Sequence, residues 1–183
     1  MTEEEQKALQ ENTSAKAEEV NTSNIIEKIL SRAITKDDIS DDVYRSYIRS
    51  VLGGSRFTMS FGMFDNALQI EYSEVSVANS DKYNKLVAKN SSSEYLLQKL
   101  AALVYIRSIK TQEKVLYTGD FQIPDKWLSD DFSVDDLTKA IEETYINTLG
   151  FLNEAIHRVL PLFWSGFNQI LTLLVAKGAP TSF

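Results

Sequence analysis

The chain has 183 residues, a formal net charge of −7 and no cysteine. This length allows one domain of ordinary size with a real hydrophobic core. The acidic balance argues against a surface that meets nucleic-acid phosphates, so we expect no nucleic acid among the partners. The lack of cysteine excludes disulfides, thiolate metal sites and a cysteine nucleophile.

Residues 1–23 are rich in glutamate and poor in apolar side chains. They have too little apolar surface to offset the entropy of ordering, which predicts an acidic flexible arm. Asn24 then predicts the cap of a short helix, and Ser40 or Asp41 the cap of a second helix that Gly53-Gly54 ends. Both helices belong to a predicted α+β domain, whose bounds we place at residues 24–130.

A β-hairpin is predicted over residues 57–72. Apolar and polar residues alternate from Phe57 to Met63, and the alternation resumes from Leu68 to Tyr72 after the turn residues Asp65-Asn66. This two-residue period predicts a core face with Phe57, Phe61 and Leu68 and a polar face with Thr58, Ser60 and Glu71.

Helical spacing returns after the hairpin. A short helix is predicted over residues 84–88, and a stronger one runs from Ser93 to about Ile109. The apolar face of this second helix comprises Tyr95, Leu96, Leu100, Leu103, Val104 and Ile106. Residues 114–118 predict a short strand, and Pro124 interrupts regular structure after it.

Residues 131–183 are predicted to form a C-terminal helical association segment. Ser133 and Asp136 form a capping pair, and Pro161 is expected to kink one long helix into two arms. Apolar side chains recur every three or four residues along it, at Leu137, Ile141, Tyr145, Leu149, Leu152, Ile156, Leu160, Phe163, Phe167, Ile170 and Leu174. The fold class is therefore α+β, helix-dominant, with a small sheet packed against helices.

The arm beyond Pro161 has few residues after it that could cover its apolar face. We therefore predict that this face binds another molecule. The expected interface residues are Phe163, Trp164, Phe167, Ile170, Leu171 and Leu174.

Residues that suggest chemistry have simpler interpretations. The single histidine, His157, has only Glu154 one turn away as a further ligand, so we interpret it as a polar-face histidine. The doublets Asp37-Asp38, Asp41-Asp42, Asp130-Asp131 and Asp135-Asp136 precede helical patterns and favour helix capping over cation binding. No motif indicates a nucleophile, a phosphate loop or a metal site, so we expect no enzyme, cofactor or metal.

A membrane alternative arises from residues 159–176, which carry no charge. Their length barely spans a hydrocarbon core, and Pro161, Ser165, Asn168, Gln169 and Thr172 suit such a core poorly. A membrane-active or membrane-anchored protein is thus one alternative. A cellular adaptor that binds a partner helix is another.

The hairpin FTMSFGMFDNALQIEY, the helix SEYLLQKLAALVYIRSIK, a short strand and a long C-terminal helix succeed one another over about residues 55–175. This order resembles baseplate-hub and tail-assembly proteins of contractile-tailed bacteriophages. The resemblance implies a non-enzymatic structural role in a virion tail, or in the host cytoplasm during assembly. It also implies self-association or docking on other tail proteins.

Overall fold

The computed structural model of the chain describes residues 34–178. The acidic arm and the first predicted helix, over residues 1–33, lie outside the described residues. Within the described part the fold is helix-dominant α+β, as predicted. The helices and strands, in chain order, are α1 (Asp41–Gly53), β1 (Thr58–Met63), β2 (Leu68–Ser73), α2 (Val77–Lys89), α3 (Glu94–Tyr105), β3 (Ile106–Thr111), β4 (Val115–Thr118), α4 (Val134–Leu149) and α5 (Glu154–Gly178).

The strands form one antiparallel sheet in the order β1-β2-β3-β4. The predicted hairpin is confirmed, with Phe61 opposite Ile70 in its register. Its turn places Phe64, Asp65 and Asn66 in the left-handed region, at φ values of 53°, 54° and 63°. Since Asn and Asp tolerate this region better than most residues, the Asp-Asn pair suits the turn.

The two faces of the hairpin match the two-residue period. Phe57, Phe61 and Leu68 are buried in the core, as predicted. Thr58 and Ser60 are exposed, and Glu71 is half-buried opposite Ser60. The alternation of side chains therefore fixes which face meets the helices.

The helix predicted to reach Ile109 ends at Tyr105 instead, and β3 begins at Ile106. Ile106 and Ile109 lie three residues apart and fit the apolar face of a helix. In the structure they pair with Tyr72 and Ile70 of β2, next to a register shift at Glu71/Tyr72. Because of this irregular pairing, two strand residues that are three positions apart both face the core. The spacing of Ile106 and Ile109 therefore did not distinguish a helix from a strand.

Helix α2 is much longer than the predicted segment 84–88. Ser76 caps it by accepting a hydrogen bond from the Asn79 backbone N–H. The side chain of Asn79 is buried, where its amide donates to the Phe121 carbonyl and its Oδ1 accepts from the Ile123 N–H, both at 3.0 Å. Asn79 lies on the buried face of the helix but is polar, so the apolar pattern did not include the first turns of α2 and predicted a helix that was too short.

The prediction of one C-terminal helix bent at Pro161 is wrong. The helix is interrupted at residues 150–153, and Pro161 lies in the interior of α5. Asn153 explains the restart of the helix, because its Oδ1 accepts a hydrogen bond from the Ile156 N–H at 3.0 Å. The Ser133–Asp136 capping box of α4 is confirmed.

All eleven residues of the predicted apolar stripe are buried. They divide between two packed clusters, one between the sheet and α5 and one among α2, α3, α4 and the 3-10 turn Asp125–Leu128. The first cluster joins hairpin residues with residues of both C-terminal helices. The segment expected to be an extension for association therefore belongs to the core.

The adjacent glycines at the end of α1 give a matched test of backbone geometry. Gly53 is helical, whereas Gly54 lies at φ 66°, and a Cβ at either position meets no atom within 4 Å. We expect Gly53→Ala to stabilise the protein by about 0.5–1 kcal/mol and Gly54→Ala to destabilise it by about 1–2 kcal/mol. Urea unfolding of both variants measures this difference, and equal effects would contradict the left-handed cap.

Candidate functional site

The six residues predicted to bind another molecule lie in two different environments. Phe163, Phe167, Ile170 and Leu174 are almost fully buried within the chain itself. Phe163 stacks on Phe61 at a centroid distance of 5.0 Å, and Phe167 stacks on Phe57 at 6.1 Å. The expectation that these four side chains face another molecule is wrong, because all four are buried within the chain and the rings of Phe163 and Phe167 stack on the hairpin.

Trp164 and Leu171, the other two predicted interface residues, are half-buried. Trp164 contacts the Tyr105 ring edge-on, at 6.0 Å between centroids. It also borders a shallow groove of about 460 Å³ along α5, whose other α5 residues are Ser165, Asn168, Gln169, Thr172 and Leu173. Four of these groove residues, Ser165, Asn168, Gln169 and Thr172, carry polar uncharged side chains.

A deeper cleft of about 450 Å³ lies where α3 faces the junction of α4 and α5. Its apolar lining includes Ala102, Leu152 and Leu160. Two of its lining residues, Tyr95 and Ile146, are large apolar side chains that are 65% and 63% exposed. Phe151, which is 53% exposed, lies in the turn between α4 and α5. We call Tyr95 and Ile146, the two exposed apolar residues that line the cleft, the apolar rim.

Lys99 is the cation of this cleft, and its side chain is only 13% exposed. Its Nζ lies 3.6 Å from Glu142 Oε1, 4.2 Å from the centre of the Tyr95 ring and 5.5 Å from the centre of the Tyr145 ring. The ion pair links α3 to α4, and the two rings attract the ammonium through their negative faces.

His157 and Tyr145 join α5 to α4 beside the cleft. His157 Nε2 lies 3.0 Å from the Leu152 carbonyl oxygen, and Nδ1 lies 2.5 Å from the Tyr145 hydroxyl. Because the carbonyl can only accept, Nε2 donates to it, and in the neutral ring Nδ1 accepts from the hydroxyl. His157 is therefore half-buried and bonded at both nitrogens, in place of the polar-face position predicted for it.

Alkaline titration offers a test of this pair. Burial, with a smaller contribution from Tyr95, raises the pKa of Tyr145 to about 12, whereas an unfolded tyrosine titrates near pH 10. The folded protein thus retains this proton more strongly, and the resulting stability is present below pH 10 and lost as the pH rises towards about 12. In Tyr145→Phe we expect a smaller loss of unfolding free energy between pH 9 and 11.5, measured by urea unfolding. An unchanged loss would contradict the burial of this hydroxyl.

Two of the four acidic doublets supply a carboxylate that caps a helix start. Asp38 forms a capping box with Thr35, and Asp136 forms one with Ser133. Hydrogen bonds from Ser133 hold the pKa of the Asp136 carboxyl below its usual range. Asp41 and Asp42, in the first turn of α1, instead lie near Lys177 and Arg45, and the Asp131 N–H donates to Ser129. Among residues 34–178, no group of three or more acidic or histidine side chains is placed to hold a metal ion.

A separate ionic cluster fixes one side of the sheet. Arg56 Nη1 and Arg107 Nη1 both lie 2.8 Å from Asp120 Oδ1. The hydrogen bond from Arg56 is the main cause that lowers the pKa of the Asp120 carboxyl, and Arg107 adds to it. Since the carboxylate connects the chain before β1, strand β3 and the loop after β4, this cluster has a structural role.

Sequence reasoning missed the cleft, because helical spacing places Tyr95 on the buried face of its helix. It gave Lys99 no role, although a tyrosine and a lysine four residues apart can meet on a helix surface. The clearest missed signal was Ile146 and Phe151, which fall off the regular stripe of α4 and α5. Large apolar residues outside such a stripe indicate an exposed patch.

Helix α5 is also the one helix in the described part of the chain that is long and apolar enough to span a membrane. Of its most apolar 18-residue window, 33% is buried inside the protein. Length and composition of this kind are shared by the core helices of soluble proteins. The stacking of Phe163 and Phe167 on the hairpin places one face of α5 in the core.

Comparison of the chain with protein-family models, with curated proteins and with solved structures finds no match. The element order that resembles phage tail proteins therefore stays a prediction from the sequence. The cleft and its apolar rim are the surface features that bear most directly on function.

Proposed function

We propose that this chain is a non-enzymatic structural or assembly protein of a bacteriophage tail or baseplate, which associates with copies of itself or with other tail proteins. The resemblance in element order suggests the setting. The observation that carries the association is the apolar rim, where Tyr95 and Ile146 are each more than half exposed beside the cleft.

The apolar rim has the composition of a protein–protein contact. Aromatic residues are enriched among the side chains that dominate binding energy, and large apolar residues grouped on a surface indicate an interaction site. Tyr95 and Ile146 flank a concave cleft, which gives a partner a pocket for an anchoring side chain. These features support this cleft as the association surface, in place of the buried aromatic face of α5.

The polar groups of the cleft support a binding role over a catalytic one. His157 is bonded at both ring nitrogens, and its partner Tyr145 is buried. A general acid or base must reach the proton that it transfers. Side chains whose hydrogen bonds join two helices serve the position of those helices instead.

Ile146→Glu is the variant that tests this proposal. A charge at the centre of an apolar contact should abolish self-association, or the capture of tail proteins encoded by neighbouring genes, while the fold remains intact because the side chain is exposed. Val77→Glu is the matched control, since Val77 is 88% exposed and starts α2. Light scattering after size-exclusion chromatography and co-purification with the identified tail proteins measure the effect.

A wild-type chain that stays monomeric and co-purifies with no tail protein would contradict the proposal. So would equal association by the Ile146→Glu and Val77→Glu variants. Co-purification with a cellular helical protein would instead support the adaptor alternative.

The membrane alternative uses residues 159–176 of α5. In that case the polar side of the helix, with Asn168, Gln169 and Thr172, would lie in hydrocarbon, which is costly. The hairpin would also lose the aromatic side chains that cover it. Flotation with lipid vesicles distinguishes the two proposals, because only the anchored protein is recovered with the vesicles in the absence of detergent.

A further inference from the structure

The ammonium of Lys99 is the least satisfied charged group at the cleft. With its side chain 13% exposed, its contacts are one carboxylate at 3.6 Å and two tyrosine rings. Within residues 34–178 no oxygen lies at hydrogen-bond distance from this Nζ, since 3.6 Å exceeds that range. A lysine ammonium has three N–H donors, and a largely buried one is stabilised when oxygen acceptors reach it.

Glu154, His157 and Tyr145, which also line the cleft, already have polar partners. Glu154 pairs with Arg158, at 2.7 Å between Oε1 and Nη2, and is highly exposed. His157 and Tyr145 bind each other and the Leu152 carbonyl. Lys99 is therefore the cation that lines the cleft, and an anionic ligand would share its ammonium with Glu142.

The volume of the cleft and its remaining lining favour an anionic ligand that also has a hydrocarbon part. A volume of about 450 Å³ lies within the range of small-molecule sites, about 300–1,000 Å³. Ala102, Leu152 and Leu160 offer an aliphatic surface, and Tyr95 and Ile146 stand at the opening. An apolar lining with a few polar groups is typical of ligand sites.

We infer that the cleft is a binding site for a small carboxylate with an apolar body, whose carboxylate pairs with Lys99 and whose hydrocarbon part lies on Ala102, Leu152 and Leu160 between Tyr95 and Ile146. Charge-assisted hydrogen bonds between an ammonium and a carboxylate are among the strong ones. The site requires no tail partner, so it holds or fails independently of the proposed function.

Octanoate is the probe, with octanol as its neutral counterpart, and NMR chemical shifts of the full chain report the place and strength of binding. We expect saturable shifts at Tyr95, Ile146 and Leu152 with octanoate. Lys99→Met should weaken octanoate binding about tenfold or more and leave octanol binding unchanged. Lys85→Met, which removes a surface lysine paired with Asp81, is the control and should bind as the wild type does.

Glu142→Gln separates a ligand-binding lysine from a purely structural one. The Glu142 side chain is 42% exposed and glutamine keeps its size, so we expect the fold to tolerate the change. Its carboxylate is the only one paired with Lys99 in the described part of the chain. Its removal should tighten octanoate binding, because the ammonium then has no competing anion. The inference is overturned if octanoate fails to bind, if Glu142→Gln leaves its affinity unchanged or weaker, or if the shifts map to the α5 groove.

Discussion

Phe61→Asp is expected to unfold the protein or cause it to aggregate. The Phe61 ring is fully buried, stacks on Phe163 at 5.0 Å and meets the Tyr72 ring edge-on at 5.6 Å. Truncation of such a ring to alanine alone costs about 3–5 kcal/mol. An aspartate there also places an unpaired charge in the core. The cost of this charge, added to the cost of the lost ring, exceeds the stability of an ordinary domain, which is about 5–15 kcal/mol.

Ser60→Asp is the matched control, one residue away on the opposite face of β1. Ser60 is exposed, so an aspartate there keeps its hydration, and repulsion from Glu71 opposite it should lower the unfolding free energy by about 1 kcal/mol at most. Near-ultraviolet circular dichroism and urea unfolding measure both variants. Equal loss of structure in the two would contradict the register of the hairpin.

Phe167→Ala is expected to cost about 3–5 kcal/mol of unfolding free energy. Phe167 is fully buried, and its ring lies 6.1 Å from Phe57, 6.1 Å from Tyr72 and 6.3 Å from Tyr105. The residue thus connects the hairpin, helix α3 and helix α5. The sequence alone predicts that a change here weakens binding to another molecule with the fold retained, whereas the structure predicts a large loss of folding stability.

Val175→Ala provides the comparison on the same helix. Val175 is 54% exposed, so its truncation should stay within about 0.5 kcal/mol of the wild type. Thermal and urea unfolding distinguish the two variants. A stable Phe167→Ala monomer that only loses binding to a partner would restore the interpretation of this face as an intermolecular interface.

Periodic patterns carried most of what could be predicted about the fold. The hairpin alternation placed Phe61 and Leu68 in the core, and every residue of the long apolar stripe is buried. Periodicity identifies a buried face but not what covers it. The aromatic part of the stripe packs on the hairpin, about a hundred residues earlier in the chain, and that pairing depends on long-range topology that local spacing does not encode.

Boundaries were missed where two local signals compete. Ile106 and Ile109 satisfy both a helical face and an irregular strand, and the neighbouring strand β2 decides between them. At the C-terminal break, the helix restarts where Asn153 caps it, whereas Pro161 is accommodated within α5. Proline therefore misled the prediction of the break, because capping determines where a helix restarts.

The cleft could not be predicted for a related reason. Tyr95, Lys99, Tyr145 and His157 come from three helices and meet only after those helices pack. No motif links such residues along the chain. The two exposed apolar residues Ile146 and Phe151 were the available sign, and they indicate a surface without naming its partner.

The central claim is that α5 packs on the hairpin of its own chain and leaves the apolar rim for association. Nuclear Overhauser effects between the Phe61 and Phe163 rings test this most directly, since the ring centroids lie 5.0 Å apart. We predict a strong cross-peak in uniformly labelled protein and none in an isotope-filtered experiment on labelled and unlabelled chains that were unfolded, mixed and refolded together. A filtered cross-peak between these two rings would show that α5 packs on another copy, and would contradict the claim.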